Sequence, residues 1–419
     1  MTEIDCDVLI IGGGVAGLAC ANLLRSLTSD HLRIGVVEAH PPKPLSADAE
    51  ADLRVFAIAP GPRSILERAG AWSRLPPGRA GAYERMRIWS AGGTPHGSGS
   101  IGFDAADQGL PELGHIVEHD WLRTGLWNRW REVCSPAQAS AARITNQLPV
   151  ALDVQPDAMV VHFEDGTTIA TRLLVGADGA DSWVREQLRV PSTGRDYRQS
   201  AIVAHVSSER NHERTAWQRF LSTGPVALLP LADGRSSIVW SCFEAEAQTL
   251  MALSDADFGT RLSAATGHVL GELKLTTRRI AFPLAARHTH RYTGARFALI
   301  GDAAHRIHPL AGQGINQGLL DAAALADILA AHLQAGSLAD PGDALVLRRY
   351  ERRRKGANLL TMATMEGLHR MFTSDSTILA GMAAAGMGAV DRLPPLKRWL
   401  AAQAAGSAAT GTWEHHAAL

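Results

Sequence analysis

The fold of this chain is decided by residues 8–17, which read VLIIGGGVAG. The first four residues are an uninterrupted apolar run, which is typical of a strand buried on both faces of a parallel sheet. The glycines then open a segment with helical spacing of apolar residues from Val15 to Leu27, and residues 33–37 form a second buried strand that ends at Glu38. This order predicts a βαβ unit at the start of the chain.

The glycines of this unit match the GxGxxG pattern of dinucleotide binding. The first permits a tight turn, the second lets the backbone approach a pyrophosphate, and the third allows close packing of helix on strand. The helix N-terminus attracts phosphate, and an acid at the end of the second strand accepts ribose hydroxyls. A glycine-rich turn without a ligand is the alternative. The predicted cofactor contacts of the unit are Gly12, Gly14, Val15, Ala16, Gly17 and Glu38.

Composition excludes several classes of protein. The 419 residues predict two or three domains. Lys plus Arg number 41 and Asp plus Glu number 42, so a net charge of −1 gives no electrostatic case for a nucleic-acid partner. None of the four cysteines has a zinc-like spacing, and the acidic first five residues are unlike the basic start of an export signal. We therefore expect a cytoplasmic protein.

Two later segments each place an aspartate just after a buried strand. Residues 176–182 read GADGADS after the strand at 173–175, and residues 301–305 read GDAAH after the strand at 297–300. The second segment continues into residues 309–316, which read PLAGQGIN. Its glycines open another helix, which offers a second positively polarised N-terminus to an anion.

Together with GxGxxG, these segments resemble the class A flavoprotein monooxygenases of the para-hydroxybenzoate hydroxylase type. Residues 52–58, 217–231 and 350–355 narrow the resemblance to the ubiquinone-biosynthesis hydroxylases. The resemblance extends over roughly residues 5–406.

The family implies an α/β fold with a Rossmann-like FAD-binding domain built from discontinuous segments, a middle antiparallel-sheet substrate domain and C-terminal helices. The strand-like segments and turns between residues 195 and 283 agree with a separate sheet. The expected limits are 1–75, 105–190 and 285–340 for the FAD-binding domain, 76–104 and 191–284 for the substrate domain, 341–406 for the C-terminal helices and 407–419 for a tail.

The resemblance also implies roles for individual residues. Asp302 hydrogen-bonds the ribityl chain of FAD, and the helix start near Gly314 places N–H groups beside the pyrimidine ring, where reduced flavin gathers negative charge. Arg54 and Arg123 face the pyrophosphate, although the related hydroxylases often carry Gln in place of Arg123. Asp178 either contacts the cofactors or only shapes a turn. The implied cofactor contacts are Arg54, Arg123, Asp178, Asp302, Pro309, Gly312, Gln313, Gly314, Ile315 and Asn316.

The activity implied by the resemblance is FAD-dependent hydroxylation of an aromatic ring, with electrons from NAD(P)H and oxygen from a flavin hydroperoxide. No second GxGxxG follows a strand, so NAD(P)H is expected to dock transiently. The expected substrate is a polyprenyl phenol of ubiquinone biosynthesis. The alternatives are a small soluble phenol or other aromatic, and a scaffolding subunit of a biosynthetic complex. The sequence identifies no catalytic base.

Three weaker signals leave alternatives open. Trp217 and Trp240 fall in the predicted middle sheet, where they either line a substrate cavity or pack in the core. His305 and His308 have the spacing of metal ligands, but no third ligand accompanies them, so no metal site is predicted. The basic run at 348–355 is either a solvated helix face or a contact for anionic lipid on the inner membrane face.

Overall fold

The computed structural model describes residues 3–46, 48–97, 99–134, 142–307, 313–334 and 339–372. The helices within these ranges are α1 (Val15–Thr28), α2 (Pro60–Arg68), α3 (His119–Val133), α4 (Trp183–Gln187), α5 (Glu244–Ala252), α6 (Asp255–Ala265), α7 (Gln313–Gln334) and α8 (Ala344–Phe372). The strands are β1 (Cys6–Ile11), β2 (Ile34–Val37), β3 (Val55–Ile58), β4 (Ala80–Tyr83), β5 (Arg85–Ser90), β6 (Ser100–Asp104), β7 (Gly114–Glu118), β8 (Ala142–Thr145), β9 (Pro149–Val154), β10 (Met159–Phe163), β11 (Thr168–Gly176), β12 (Ser192–Ser208), β13 (Thr215–Leu221), β14 (Gly224–Pro230), β15 (Ser236–Phe243), β16 (Leu273–Leu275), β17 (Ile280–Thr289), β18 (Thr293–Gly294), β19 (Phe297–Leu299) and β20 (His305–Arg306).

The first sheet confirms the predicted βαβ unit. Its main path runs β18-β19-β11-β1-β2-β8, with β1, β2, β8, β11 and β19 all parallel. β1 is buried along its whole length, as an uninterrupted apolar strand between covered faces should be. The hairpin of β10 and β11 turns at Asp165-Gly166, and β9 pairs with β10 at the edge. Helices α3 and α7 both contact α1 over this sheet.

The second sheet has the path β20-β17-β12-β15-β14-β13-β5-β6. Its strands are antiparallel except for β5 and β13, which pair in parallel, so the expectation of a purely antiparallel sheet is corrected at this point. The two strands come from distant parts of the chain, and no hairpin fixes their relative direction. Helices α5 and α6 were not predicted. They cover one face, where Phe258 and Leu262 of α6 pack on Ile202, Val226 and Ile238.

A small third sheet, β3-β7-β4, joins the two larger ones. Its three strands were not predicted, and only β4 lies wholly within the Gly-, Ser- and Pro-rich residues 76–114. The backbone of Gly81 in β4 lies against the end of β14: a Cβ atom on Gly81 would be 2.7 Å from the carbonyl oxygen of Pro230. On the other side, Ala57 of β3 contacts the start of α7 through Asn316.

Both large sheets draw strands from separated parts of the chain. The first takes β1 and β2 from the start, β8 to β11 from the middle, and β18 and β19 from after residue 292. The second takes β5 and β6 from before residue 105 and the rest from residues 192–306. The residue limits of the expected domains remain predictions, and residues 373–419 lie outside the described ranges.

The long helices are α7 and α8. Within the described part of the chain, no helix is both long and apolar enough to cross a lipid bilayer.

Candidate functional site

The three sequence motifs meet at one edge of the first sheet. Ile11 at the end of β1 is in register with Gly176 of β11 and with Val37 of β2, and Gly176 is in register with Leu299 of β19. The carboxyl ends of these parallel strands therefore lie side by side. Ligands of open α/β sheets bind in the crevice at this edge.

The glycines of the first motif differ in what surrounds them. Gly12 has φ +110°, and a Cβ atom on it would lie 2.4 Å from the carbonyl oxygen of Ala177 in the second motif. A Cβ atom on Gly17 would lie 2.1 Å from the carbonyl oxygen of Gly12. A Cβ atom on Gly14 would meet no described atom within 4 Å, so this glycine faces open space. Helix α1 begins beyond Gly14 without a side-chain cap, which leaves its first N–H groups available to an anion.

Glu38 and Arg123 close one side of this crevice. The carboxylate of Glu38 accepts a hydrogen bond from the Gly13 N–H (2.8 Å) and another from the His40 N–H (2.8 Å). The guanidinium of Arg123 lies 3.2 Å from the same carboxylate and donates to the Gly13 carbonyl oxygen at 3.0 Å. Arg123 thus braces the glycine loop, and its role toward the pyrophosphate remains a prediction.

Asp178 uses both carboxylate oxygens within its own loop. One accepts from the Ser182 hydroxyl at 2.6 Å, and the other accepts from the Val184 N–H at 3.0 Å. Burial raises the pKa of Asp178, and these hydrogen bonds oppose the rise. These contacts favour the turn-shaping alternative for Asp178.

Arg185 connects the second and third motifs, and no sequence pattern pointed to it. Its guanidinium is buried and donates to the carbonyl oxygens of Ala303 (3.1 Å) and Ala180 (2.7 Å). Only a structure brings the loops at 180 and 303 together, because a single sequence does not show which backbone carbonyls lack partners. Arg185 therefore holds the two loops at a fixed spacing.

Asp302 stands where the third motif meets α7. It follows Gly301, whose φ of +58° lies in the left-handed region that favours glycine, and it is exposed toward the crevice. A Cβ atom on Gly314 would lie 4.0 Å from the Asp302 carboxylate, and one on Gly301 would lie 3.3 Å from Ala16 in α1. Loss of contact with water among the surrounding residues raises the pKa of the Asp302 carboxyl. The charges of His305, Arg306 and Arg54 lower it. The first and third motifs are therefore in direct contact.

A buried charged cluster of Asp321, His305 and Arg354 lies beneath this loop. The Asp321 carboxylate accepts from the Gly301 N–H (3.1 Å), from His305 Nε2 (2.5 Å) and from Arg354 Nε (2.7 Å). The three side chains are at most 2% exposed. Burial raises the pKa of Asp321, but the charges and hydrogen bonds of His305 and Arg354 outweigh it and hold that pKa at about 2.

This cluster changes the interpretation of two sequence signals. His305 is hydrogen-bonded to Asp321, and His308 lies outside the described residues. Arg354 belongs to the basic run of α8 but points inward, where it also donates to Gln317 and Asn358 at 2.7 and 2.9 Å. The pairing was missed because its members are far apart in sequence and two of them resemble surface residues.

Asn316 joins the start of α7 to β3 and α2. Its side-chain oxygen accepts from the Ala59 N–H at 3.2 Å, and its amide donates to the Ala57 carbonyl oxygen at 2.8 Å. These contacts give Asn316 a structural role, and its predicted cofactor contact remains untested. Gln313 and Ile315 lie in the first turn of α7, whereas Pro309 and Gly312 lie outside the described residues.

The second sheet contributes an uncharged face that was not predicted. Side chains alternate along each strand, so residues next to those packed on α5 and α6 point to the opposite side. Lys274 of β16, opposite Ser207 of β12, lies on this side. Seventeen other side chains there include no Asp, Glu, Lys or Arg. We call this set the uncharged face: Met86, Ile88, Ile101, Phe103, Ala201, Val203, His205, Ala216, Gln218, Phe220, Ala227, Leu229, Ser237, Val239, Ser241, Ile280 and Phe282.

The middle of the uncharged face is partly open. Ala227, Leu229, Val239 and Met86 are only half-buried, although they lie on central strands. A half-buried apolar surface of this kind is typical of a binding cavity for an apolar ligand.

Trp240 and Trp217 lie on the other side of the sheet. Trp240 is 3% exposed, and its ring centroid lies 5.8 Å from that of Phe258 in α6. Trp217 packs edge-on against Trp89 with centroids 6.3 Å apart. Their positions favour core packing, the alternative that the sequence left open for both residues.

The small third sheet sets the distance between the two parts of the site. Ala57, Ile116 and Gly81 are in register across β3, β7 and β4. Neighbouring strands lie about 4.8 Å apart, so Ala57 and Gly81 are separated by about 10 Å. Ala57 contacts Asn316 at the start of α7, and Gly81 contacts the end of β14. The small third sheet therefore links the end of the uncharged face at β14 and β15 to the start of α7.

One cluster of metal-ligand type is present among the described residues. Ligand-type atoms of Asp52, His119 and Asp120 lie within 4.8 Å of one another. Asp52 accepts from the Arg54 N–H, and His119 pairs with Asp120 at 2.9 Å. The other carboxylate oxygen of Asp52 is buried and has no partner among the described residues, and we assign no ion to the cluster.

Comparison with known proteins identifies relatives along the whole chain. The family described as "FAD binding domain" matches residues 145–362. The ubiquinone hydroxylase UbiL of Rhodospirillum rubrum is 36% identical, with 97% of this chain and 90% of the relative aligned. The 3-demethoxyubiquinol 3-hydroxylase of Escherichia coli K12 is 33% identical, with 95% of this chain and 98% of the relative aligned.

A solved structure supports the fold. The p-nitrophenol 4-monooxygenase PnpA of Pseudomonas putida superposes with a TM-score of 0.71, covering 96% of this chain and 97% of the other, at 18% sequence identity. At that identity the similarity concerns the fold alone, and it confirms the predicted α/β architecture.

Proposed function

This chain belongs to the FAD-dependent hydroxylases of ubiquinone biosynthesis, and from that premise we propose that it hydroxylates the aromatic ring of a polyprenylated phenol. The uncharged face is the observation that carries the choice of substrate. Transfer of a prenyl chain from water to an apolar surface lowers the free energy. A small ionised aromatic acid would instead need a partner of opposite charge in the site. The seventeen side chains of the face include none that could supply that charge.

The residues at the edge of the first sheet fit FAD. Open space in front of Gly14 and the uncapped N-terminus of α1 suit a pyrophosphate. We assign the ribose hydroxyls to Glu38, the ribityl chain to Asp302, and the pyrimidine ring to the N–H groups that begin α7. Gly12 and Gly17 allow close backbone packing because they have no side chain. Arg54 supplies positive charge near Asp302.

The division of labour follows from the two parts of the site. Bound FAD supplies the redox and oxygen chemistry that amino-acid side chains lack. The N-terminus of α7 stabilises negative charge on the reduced ring, and the charged cluster of Asp321, His305 and Arg354 keeps the adjoining loop in place. The uncharged face orients the aromatic ring and excludes water from it.

We assign NAD(P)H as the electron donor, bound only transiently. The sequence has a single GxGxxG after a strand, and the first motif is committed to FAD in this proposal. Either nicotinamide is compatible with this reasoning, and a comparison of NADH with NADPH oxidation rates decides between them.

The decisive experiment measures aerobic NAD(P)H oxidation with and without a short-chain polyprenyl phenol, together with the mass of the product. We expect faster oxidation and the gain of one oxygen atom. The same phenol without its prenyl chain is the matched control. Equal or faster hydroxylation of the short phenol would favour the alternative of a small soluble substrate. Slow oxidation with every phenol, yielding only hydrogen peroxide, would contradict the proposal.

A scaffolding role in a biosynthetic complex is the alternative from another class. The variants Gly14→Trp and Asp302→Ala separate the two, because they attack the proposed FAD contacts. A folded variant that still binds its partners but no longer supports the pathway would argue for the enzyme. Full pathway function without bound FAD would argue for the scaffold.

We also propose a peripheral membrane contact through α8. With 3.6 residues per turn, Leu345, Arg348, Arg349, Arg352 and Leu360 fall on one side of this helix, and all are exposed. Leu345 is 68% exposed and Leu360 is 54% exposed. A helix face with arginines and leucines suits an anionic lipid surface that contains a polyprenylated substrate.

Flotation with liposomes tests the contact. Each arginine contributes about 1 kcal/mol near an anionic surface, so binding should be strong at low salt and weak at high salt. The triple variant Arg348→Gln, Arg349→Gln and Arg352→Gln should float much less, whereas Arg131→Gln on α3 should float normally. Failure of the unmodified protein to bind at low salt would contradict this proposal.

A further inference from the structure

Two polar side chains of the uncharged face have no partner. His205 of β12 and Ser237 of β15 are directly opposite each other in register, and both are 0% exposed. Among the described residues, neither imidazole nitrogen of His205 has a hydrogen-bond partner. The Ser237 hydroxyl has none either. Buried polar atoms are nearly always paired in folded proteins, so an unpaired facing pair requires an explanation.

The pair borders the open part of the face. Ser237 is in register with Leu229 on the next strand, and Leu229 is half-buried. Directly opposite side chains on neighbouring strands have Cβ atoms about 5 Å apart. A group bound above Leu229 is therefore within reach of Ser237, and His205 lies immediately behind Ser237.

The pair also lies at the end of the face that the small third sheet links to the proposed FAD site. Ser237 belongs to the first residues of β15, opposite the end of β14, where Pro230 contacts Gly81 of the small third sheet. That sheet leads across about 10 Å to Ala57, which contacts the start of α7. We place the aromatic ring at this end of the face, because this end is linked to the start of α7, and we place the prenyl chain along the rest.

The chemistry of the pair suits an oxygen substituent on the ring. Burial lowers the pKa of His205 to about 4, with Arg235 adding to the decrease and Asp233 opposing it, so the imidazole is neutral near pH 7. A neutral imidazole offers one donor and one acceptor, and a serine hydroxyl offers both as well. A phenolic hydroxyl needs one acceptor for its proton and accepts a donor at its oxygen.

We infer that His205 and Ser237 are positioning residues that hold a hydroxyl group of the aromatic substrate and so fix which ring carbon faces the cofactor. This inference rests on the proposed function. The inference concerns the hydroxyl group on the substrate's ring, whereas the proposed function concerns the substrate's prenyl chain.

Ser236 provides a matched comparison within the same strand. Its hydroxyl is also buried and also lacks a partner among the described residues, but its side chain points to the side covered by α5 and α6. The lack of a partner alone therefore does not mark a ligand site. The position of His205 and Ser237 on the uncharged face distinguishes them from Ser236.

The test uses the FAD-loaded protein and four probes: geranylphenol, geranylbenzene, phenol and benzene. Binding is followed by the change in the visible absorbance of FAD. We expect geranylphenol to bind roughly tenfold more tightly than geranylbenzene, which is the effect of one buried hydrogen bond to an otherwise unpaired group. The ratio should fall towards one in His205→Leu and Ser237→Ala, and it should stay near tenfold in Ser236→Ala.

Two further variants exclude a general structural effect. Ser237→Thr and His205→Asn keep hydrogen-bonding groups and should restore part of the hydroxyl preference. With geranylphenol, turnover by Ser237→Ala should also yield a mixture of positional isomers, because the ring is less firmly oriented.

The outcomes separate this inference from the proposed function. Loss of the preference for geranyl compounds over phenol and benzene would contradict the polyprenylated substrate only. An unchanged hydroxyl preference in folded, FAD-loaded His205→Leu and Ser237→Ala would overturn the inference only. Binding of none of the four probes would overturn both.

Discussion

The two parts of the candidate site are built by opposite means. At the edge of the first sheet, buried charges such as Asp321 and Arg354 are bonded to backbone and to one another, and they hold loops still. On the second sheet, the uncharged face leaves apolar side chains half-buried and two polar side chains unpaired. In the first region the loops are held by internal hydrogen bonds and the N–H groups at the start of α1 are left for a ligand, whereas the second region leaves apolar surface and two polar side chains without partners among the described residues. In the proposed function, the first sheet therefore holds loops for the cofactor and the second sheet offers a surface to the substrate.

The largest effect is expected from Asp321→Asn. The change leaves Arg354 buried without its counter-charge, which costs about 3–5 kcal/mol. The pKa of Asp321 is held at about 2, below its unfolded value, so its stabilising contribution is present above about pH 4 and lost as pH falls towards 2. Urea unfolding at pH 7 measures the loss.

Asp340→Asn is the matched control for this prediction. Asp340 pairs with Arg296 at 2.8 Å but is partly exposed, so its loss should cost less than about 1 kcal/mol. Equal effects of the two variants would contradict the view that the buried cluster holds the first region together.

Gly12→Ala should weaken FAD binding roughly 100-fold, because alanine at positive φ is strained and its Cβ meets the Ala177 backbone. The flavin content of the purified protein and fluorescence titration measure the effect. Gly14→Ala separates folding from binding, since its Cβ has free space in the protein alone. It should leave the free energy of unfolding unchanged and still weaken FAD binding. Normal FAD binding by both variants would contradict the site.

The free energy of unfolding should depend on pH through His205 of the second sheet. Its pKa of about 4 lies below the ordinary value of 6.5, so the unfolded chain takes up a proton first. Stability is then complete above about pH 6.5 and falls as pH decreases towards 4, by about 2 kcal/mol at pH 4.5. His205→Asn should remove this part of the decrease. If the free energy of unfolding decreased equally with falling pH in both proteins, the pKa of His205 would not be lowered in the folded protein, which would contradict the prediction.

The smallest effect is expected from Val239→Thr on the uncharged face. Threonine has the same shape, but its hydroxyl reduces the gain from covering the site with a prenyl chain, so KM should rise roughly fivefold. Steady-state kinetics with a short-chain polyprenyl phenol measure it. Val150→Thr, on an exposed position of β9, is the same change away from the site and should leave KM unaltered.

The sequence predicted the glycine motifs of the first region, but it predicted neither the buried cluster of that region nor the uncharged face of the second. The glycine motifs, the parallel strands and their common edge were predictable, because close backbone approach demands glycine and buried strands demand apolar runs. The cluster around Asp321 was not, because its members lie on α7, α8 and β20, which are far apart in the sequence. The uncharged face was also beyond prediction, since a face exists only once the register of seven strands is known.

The interleaving of segments between the two large sheets has a consequence for how the chain is made. The first sheet lacks β19 until residue 299 has been synthesised, and the second lacks β17 and β20 until residue 306. Until then β11 and β12 each present an unpaired edge, which can pair with another nascent chain. Folding thus depends on contacts between residues hundreds of positions apart, and such contacts form slowly. A nascent chain of this architecture therefore keeps unpaired strand edges until residue 306 has been added.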